Sequence, residues 1–420
     1  MFSYAPRVPE NAAMARPGAG ALLALIRAGT AVTRADLARL TGMSRASISH
    51  RIDGLIECGL VREATELPST GGRPPASLVF SSDRGVVLGA DLGATHARLA
   101  VMDLAGNVLA ELAEDLDIAE GPETVLGIVE AQFCELLSRL GREPHEVHGI
   151  GVGVPGPVEF ATGRPVNPPI MPGWDGYSIP DRLSRRFDVP ILVDNDVNIM
   201  AVGEHWTNWR SERDFLFVKV GTGIGCGIIA EGTIYRGAQG AAGDIGHIRV
   251  AGESEVVCEC GNVGCLEAIA GGRALARDAR ALGFDARNSR DVVALARAHQ
   301  VQVVRLVRQS GRVLGDVLSG LVNAFNPGVI VIGGDVAEAH EQLFAGVREV
   351  VYQRATPLAT RHLELARSSL GDRAGTTGAA VLAIEHILAP EFVDAHWVGR
   401  RPQSAARPGA QALTEPGRAA

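Results

Sequence analysis

Two glycine-rich turns, each set between apolar runs, constrain this 420-residue chain more than any other feature. The first lies in G-V-V-L-G-A-D-L-G-A-T-H-A-R-L-A-V-M-D from Gly85, the second in F-L-F-V-K-V-G-T-G-I-G-C-G-I-I from Phe215. Each reads as strand, tight turn, strand. In the first, Asp91 ends the strand, Gly93 opens the turn, and backbone N–H groups with the Thr95 hydroxyl face an anion. In the second, Gly221, Thr222, Gly223 and Gly225 are expected to leave amides exposed in the same way. One such hairpin is an ordinary turn. Two in one chain predict two related lobes that grip phosphates from opposite sides.

Between the turns, P-I-L-V-D-N-D-V-N runs an apolar strand into Asp194, Asn195 and Asp196, polar residues at the carboxyl end of a buried strand. Asn195 can hydrogen-bond a hydroxyl and Asp196 can accept its proton. One of Asp194 and Asp196 is expected instead to cap the helix that carries Asn198 and Glu204. Upstream, V-P-G-P bends the chain at Pro155 and Gly156 toward the same cleft. Downstream, N-P-G-V-I-V-I-G-G-D ends a strand at Gly333 and Gly334, a pair that admits a ring or a phosphate, or makes a plain strand–helix turn.

A third stretch, Gly246 to Glu267, holds His247, Cys258, Cys260 and Cys265. One imidazole and three thiols around a turn with glycines at 261 and 264 make a complete tetrahedral zinc set. With every position filled by protein, the zinc is structural, and the flanking carboxylates Asp244 and Glu267 tie it to the chemistry around it. The other cysteines, 58, 134 and 226, are scattered and read as packing residues. Clustered thiols suit a reducing compartment, and neither a signal peptide nor an apolar run of membrane-spanning length is present, so the expected location is cytoplasmic with no membrane partner.

The N-terminal part has a different texture. Residues 1–17 read as a disordered lead-in, and residues 18–82 as a separate module. A first helix runs from Gly18 to Gly29. Thr33 caps a second, with Leu37 and Leu40 inward, and Gly42 closes it. Ser44 caps a third, whose inward face is Ile48, Ile52, Leu55 and Ile56. This leaves Arg45, Ser49, His50 and Arg51 outward, where a helix-turn-helix presents side chains to the major groove. L-V-R-E-A and A-S-L-V-F then form a hairpin wing with Arg73 placed for a minor groove or a phosphate. A net charge of −8 excludes a generally nucleic-acid-coating surface but leaves room for such a module. The competing reading is a helical protein-contact domain.

Taken together, D-L-G-A-T, V-P-G-P, the Asn195–Asp196 pair, G-T-G-I-G, G-D-I-G-H, C-E-C-G-N-V-G-C-L-E and V-I-G-G resemble the ROK family of sugar kinases and sugar-responsive repressors over nearly all of residues 20–390. The resemblance implies an α/β chain: a winged helix-turn-helix, then a two-lobed actin/hexokinase-like body with a structural zinc loop over 86–390. Lobe 1 is expected at 86–197 plus the helix 375–388, lobe 2 at 198–374, and a disordered tail at 391–420. It implies sugar contacts from Asn195, Asp196, Asp244, His247 and Glu267. If a kinase survives, Asp196 is its base, with ATP and Mg at Asp91, Gly93, Thr95, Gly221, Thr222, Gly223, Gly333 and Gly334. Members with a winged helix are typically regulators, so the implied partners are operator DNA and a sugar or sugar-phosphate effector, in a homodimer or homotetramer. The alternative is an ATP-dependent sugar kinase with an added DNA-binding domain. Three departures bear on that choice: Ala94 replaces a phosphate-turn glycine, Asp244 a longer glutamate, and Asp335 puts a negative charge after the glycine pair.

Overall fold

The computed structural model describes residues 17–64, 76–250, 252 and 255–398. They form two compact units, residues 82–387 and residues up to 81 together with those from 388. Arg73, the tip of the expected wing, the lead-in to residue 16 and the chain beyond 398 lie outside the described residues.

The smaller unit contains α1 (Ala19–Arg27), α2 (Arg34–Thr41), α3 (Arg45–Glu57) and the antiparallel pair β1 (Val61–Ala64) and β2 (Ser77–Phe80). Local chemistry sets its corners. The Thr33 side chain accepts from the Asp36 amide, Gly42 adopts a left-handed φ of 68°, and the Ser44 side chain accepts from the Ser47 amide. Leu22, Leu23, Leu37, Ile48, Ile52 and Leu55 are fully buried. Leu40, expected inward, is 44% exposed. At about 100° per residue, a position three beyond Leu37 lies roughly 60° off its stripe, and an eight-residue helix buries only the one leucine.

Residues from 388 belong to this unit as well. A short helix, Pro390–Phe392, and a π-helical turn, Val393–Trp397, bury Val393 and Trp397. The Gly20 amide donates to Asp394 Oδ1 at 2.8 Å, and a Cβ on Gly20 would overlap the Pro390 carbonyl. The tail expected to be disordered from 391 is therefore folded as far as Val398. Pro390 opens a helix instead of ending the structure.

The larger unit repeats one strand pattern. Its first half has β3 (Val86–Leu92), β4 (His96–Asp103), β5 (Val108–Asp115), α4 (Pro122–Arg139), β6 (Val147–Val154), β7 (Val158–Glu159), β8 (Arg164–Pro165), α5 (Ile179–Leu183), β9 (Ile191–Asn195) and α6 (Asp196–Asn208). The second half has β10 (Phe215–Val220), β11 (Ile224–Ala230), β12 (Thr233–Ile234), α7 (Leu266–Ala270), α8 (Gly272–Ala281), α9 (Ser289–Arg297), α10 (Val301–Phe325), β13 (Val329–Gly333), α11 (His340–Arg354), α12 (Pro357–Thr360), β14 (Glu364–Arg367) and α13 (Ala374–Ile387).

The sheets are ordered β5-β4-β3-β6-β9 and β12-β11-β10-β13-β14. In each, an antiparallel three-strand meander is extended by two parallel strands. The two glycine turns thus occupy the same place, between β3 and β4 and between β10 and β11. The shared order explains why two similar turns occur in one chain.

Helices α6 and α13 cross at backbone contact. A Cβ on Gly378 would overlap the Ile199 carbonyl, and one on Gly203 the Ala374 carbonyl, so neither position tolerates a side chain. α13 lies on the first sheet, where Gly151 meets Ala379. α6 lies on the second, where Gly227 meets Ala201 and Val197. The expected lobe boundary at 197/198 falls inside α6, the helix that joins both halves. No helix among the described residues is long and apolar enough to cross a membrane.

Candidate functional site

The carboxyl end of β9 turns directly into α6, and its three polar residues divide the work differently from the sequence expectation. The cap is Asn195, whose side chain accepts from the Val197 amide at 2.9 Å while its Nδ2 donates to the Gly156 carbonyl at 3.0 Å. The VPGP bend thereby fixes the side chain expected to meet a hydroxyl. Neither aspartate caps.

Asp194, 3% exposed, accepts from the Asn195 amide and from Asn198 Nδ2, each at 2.8 Å, and from Arg236 Nε at 2.8 Å. Arg236 stacks its guanidinium 3.6 Å over the Phe160 ring. Asp196, 6% exposed, is held by Lys219, whose Nζ lies 2.6 Å from Oδ2. Burial pulls the lysine's pKa down, but the carboxylates of Asp196 and Asp91 outweigh it and hold the ammonium above its ordinary value.

Asp91 is buried at the end of β3 with its carboxyl against Gly375, where any Cβ would overlap it. Desolvation drives its pKa up to about 7, with Lys219 opposing and Asp196 adding to the rise. Beyond it, the first glycine turn departs from expectation. The Gly93 amide donates to the His96 carbonyl at 2.8 Å, and the His96 ring lies so close that a Cβ on Gly93 would overlap it. Burial first, then the Lys219, Arg98 and Arg290 charges, pull the imidazole's pKa down. Thr95 is exposed. In the second turn the Gly221 amide donates to the Gly223 carbonyl at 3.0 Å, and the Gly221 and Thr222 carbonyls accept from Gly272 and Arg273 at the start of α8. The amides of Gly93 and Gly221, expected to face an anion, close their own turns, because each short hairpin needs that bond to reverse direction.

A Cβ on Gly333 would come 2.6 Å from the Phe217 ring, and Gly334 takes a φ of 86° against the Val220 backbone. The pair therefore serves the close passage of β13 beside β10. Asp335 accepts from Ser289 at 2.8 Å and pairs with Arg290 at 3.5 Å, so its charge is compensated on its own side.

His247, Cys258, Cys260 and Cys265 converge: one ligand atom from each lies within 4.8 Å of all the others. Cys258 Sγ is 3.6 Å from His247 Nδ1, and Cys260 Sγ is 3.7 Å from Cys265 Sγ. Metal–sulfur bonds of about 2.3 Å in a tetrahedron put neighbouring ligands at about this spacing, so the donor set fits a metal. Bridges between Arg249 and Cys265 and between Val257 and Val263 hold the loop, and Gly261 and Gly264 turn it with φ of 87° and 79°. Burial raises the Cys258 and Cys265 thiol pKa values, whereas the Asn262 amide lowers that of Cys260.

Glu267, in the first turn of α7, connects this cluster to the second glycine turn. Its Oε1 lies 3.3 Å from Cys258 Sγ and 3.8 Å from His247 Nδ1, while a Cβ on Gly223 would come 2.6 Å from Oε2. The other ring nitrogen of His247 is 3.8 Å from Asp244, which is exposed. On α3, Arg45 and His50 are exposed. Arg51 donates to the Ser47 carbonyl, and Arg34 to that of Ser49. Sequence reasoning missed Lys219 and Arg236. The one available signal was that Lys219 is the sole lysine, on the strand leading into G-T-G-I-G.

These features define a winged helix joined to a two-lobed actin-like α/β body with a His/Cys3 cluster. A profile of the ROK family matches residues 87–386, and one of the MarR family residues 16–69. The chain belongs to the ROK family. It is 32% identical over 379 residues to a putative xylose repressor of Caldicellulosiruptor sp. (strain Rt8B.4), covering 86% of this chain and 94% of the relative. It is 32% identical to a glucokinase of Halalkalibacterium halodurans, covering 71% and 94%. A solved ROK family transcriptional regulator, homologue of the E. coli MLC protein, superposes with a TM-score of 0.79 at 24% identity over 90% of this chain and 98% of its own, which supports the fold.

Proposed function

We propose that this protein is a sugar-responsive transcriptional regulator, a repressor of carbohydrate-use genes, which binds operator DNA through α3 and a sugar through its two-lobed body. The single observation that carries the reading is that similarity to a xylose repressor runs through both the winged helix and the body, whereas similarity to the glucokinase covers 71% of the chain. Arg45, Ser49, His50, Arg51 and Arg73 are the proposed DNA contacts, and Asn195, Asp196, Asp244, His247 and Glu267 the proposed sugar contacts. Zinc, held by His247, Cys258, Cys260 and Cys265, would supply structural restraint and no open coordination position. Through Glu267 these residues stiffen the wall of the sugar site.

For the sugar to act, it must bind one arrangement of the chain more tightly than another. α13 offers a route by chain continuity: it packs on Asp91 and α6, and at Leu388 the chain enters the segment packed on α1. The working form in the cytoplasm is a homodimer or homotetramer on a pseudo-palindromic site. Genomic-fragment selection with the full chain, repeated with and without D-xylose, D-glucose and N-acetyl-D-glucosamine, tests the reading. A discrete recovered site whose affinity one sugar changes supports it, and salt-dependent binding to all fragments alike refutes it.

The second reading is an ATP- and Mg-dependent sugar kinase, favoured by the glucokinase similarity and by Asp196. In it, Asp196 accepts the hydroxyl proton, and Asp91, Gly93, Thr95, Gly221, Thr222, Gly223, Gly333 and Gly334 flank the nucleotide. Sugar-dependent ADP release, abolished by Asp196→Asn, would establish it.

A further inference from the structure

Every cation described around Asp91 and Asp196 already has a carboxylate partner. Lys219 pairs with Asp196, Arg236 with Asp194, Arg98 with Asp372 and Arg290 with Asp335. Glu267 and Asp244 add negative charge beside the imidazole of His247, and Glu267 also adjoins the second glycine turn at Gly223. A phosphate ester entering here would meet carboxylates without an unspent cation to balance it. It would also find the Gly93 and Gly221 amides occupied and the His96 ring over Gly93. A neutral polyol meets the opposite situation, because ionised carboxylates are strong hydroxyl acceptors and need no counter-ion from the ligand.

Lys219 is the cation that faces both Asp196 and Asp91. It stands on β10 opposite Gly225, and its ammonium reaches across to α6, where Nζ lies 2.6 Å from Oδ2 of Asp196. In phosphate-transferring enzymes, metal ions supply the positive charge that carboxylates and phosphates require. Here a side chain of the protein supplies it.

We infer that Lys219 is a resident counter-ion and positioning residue for Asp196, so that the body binds an unphosphorylated sugar without divalent cation or nucleotide. This rests on the sugar-sensing reading and names the ligand class of that site. Lys219 does not react. It holds the Asp196 carboxylate in the orientation that accepts a sugar hydroxyl and excludes a second cation by repulsion.

The test is calorimetric titration of the full chain with D-xylose, D-glucose, N-acetyl-D-glucosamine and the 6-phosphates of the last two. Each ligand is measured with and without magnesium and a non-hydrolysable ATP analogue, in wild type, Lys219→Arg and Lys219→Met. One neutral sugar is expected to bind, with less than about a twofold change on adding magnesium and nucleotide, and its phosphate ester at least about tenfold more weakly. Lys219→Met should lose about tenfold in affinity, and Lys219→Arg should recover most of it. Preference for a phosphate ester, a requirement for magnesium nucleotide, or unchanged affinity in Lys219→Met overturns this inference alone. The wild-type and Lys219→Arg arms decide the matter even where Lys219→Met fails to fold. If no sugar or ester binds and none alters operator affinity, the sugar-sensing reading fails and this inference with it.

Discussion

Replacing Asp194 with alanine strips the acceptor from three donors at once: the Asn195 amide, Asn198 Nδ2 and Arg236 Nε, each at 2.8 Å. Arg236 Nη2 stands 2.7 Å from the same Oδ2, and the side chains are 4% and 19% exposed, so water cannot readily replace the lost partner. Removing one member of a buried ion pair costs about 3–5 kcal/mol, most of it the desolvation of the charge left behind. We expect about 4 kcal/mol for Asp194→Ala. Arg236→Met keeps its packing on Phe160 and removes the stranded charge, so the double variant should recover about 2 kcal/mol. Urea unfolding, followed by far-UV circular dichroism and by tryptophan emission, measures all four corners of the cycle. Three of the four tryptophans, 174, 206 and 209, lie in the larger unit and report its transition. Additive effects, with coupling below about 0.5 kcal/mol, would show that the pair is solvated and the reasoning wrong.

Other perturbations separate the remaining parts. Cys260→Ser leaves three ligands of four, and metal affinity should fall by at least roughly 100-fold, beyond what loss of an outer partner costs. Metal content after dialysis against a weak chelator reads this directly, and wild-type content would count against the site. Asp91 has a folded-state pKa of about 7, above its unfolded value, so the folded chain binds the extra proton between about pH 4 and pH 7. Its contribution to stability is therefore favourable at low pH and is lost as pH rises through 7. Asp91→Asn should flatten that decline between about pH 4 and pH 7, and an unchanged pH profile would contradict the assignment. Asp394→Ala removes the acceptor for the Gly20 amide and should destabilise the smaller unit by about 1 kcal/mol, visible as faster amide exchange along α1. Unaltered exchange would show that the C-terminal segment adds nothing there.

Much of the architecture is legible in short stretches because its causes are local. Thr33, Gly42 and Ser44 cap and terminate helices within a few residues of themselves. The His/Cys3 cluster draws its three cysteines from eight residues around two glycines, so a sequence can announce it. Likewise, each glycine turn sits between strands that pair with each other through it. Local pattern is a poorer guide where a helix is short, as Leu40 shows, or where a proline opens an element, as Pro390 does.

What tertiary structure alone decided are the partnerships that span the chain. Lys219 meets Asp196 across 23 residues and Arg236 meets Asp194 across 42, because α6 packs on β10 and β11 with a register that no local pattern encodes. Asp91 is pressed against Gly375 only because α13 returns to the first sheet. The sequence by itself determined a winged helix, two matching lobes and a His/Cys3 loop, whose residues are close neighbours in the chain. Which charges neutralise which was settled by packing, since electrostatic energy depends on distance in space and not along the chain.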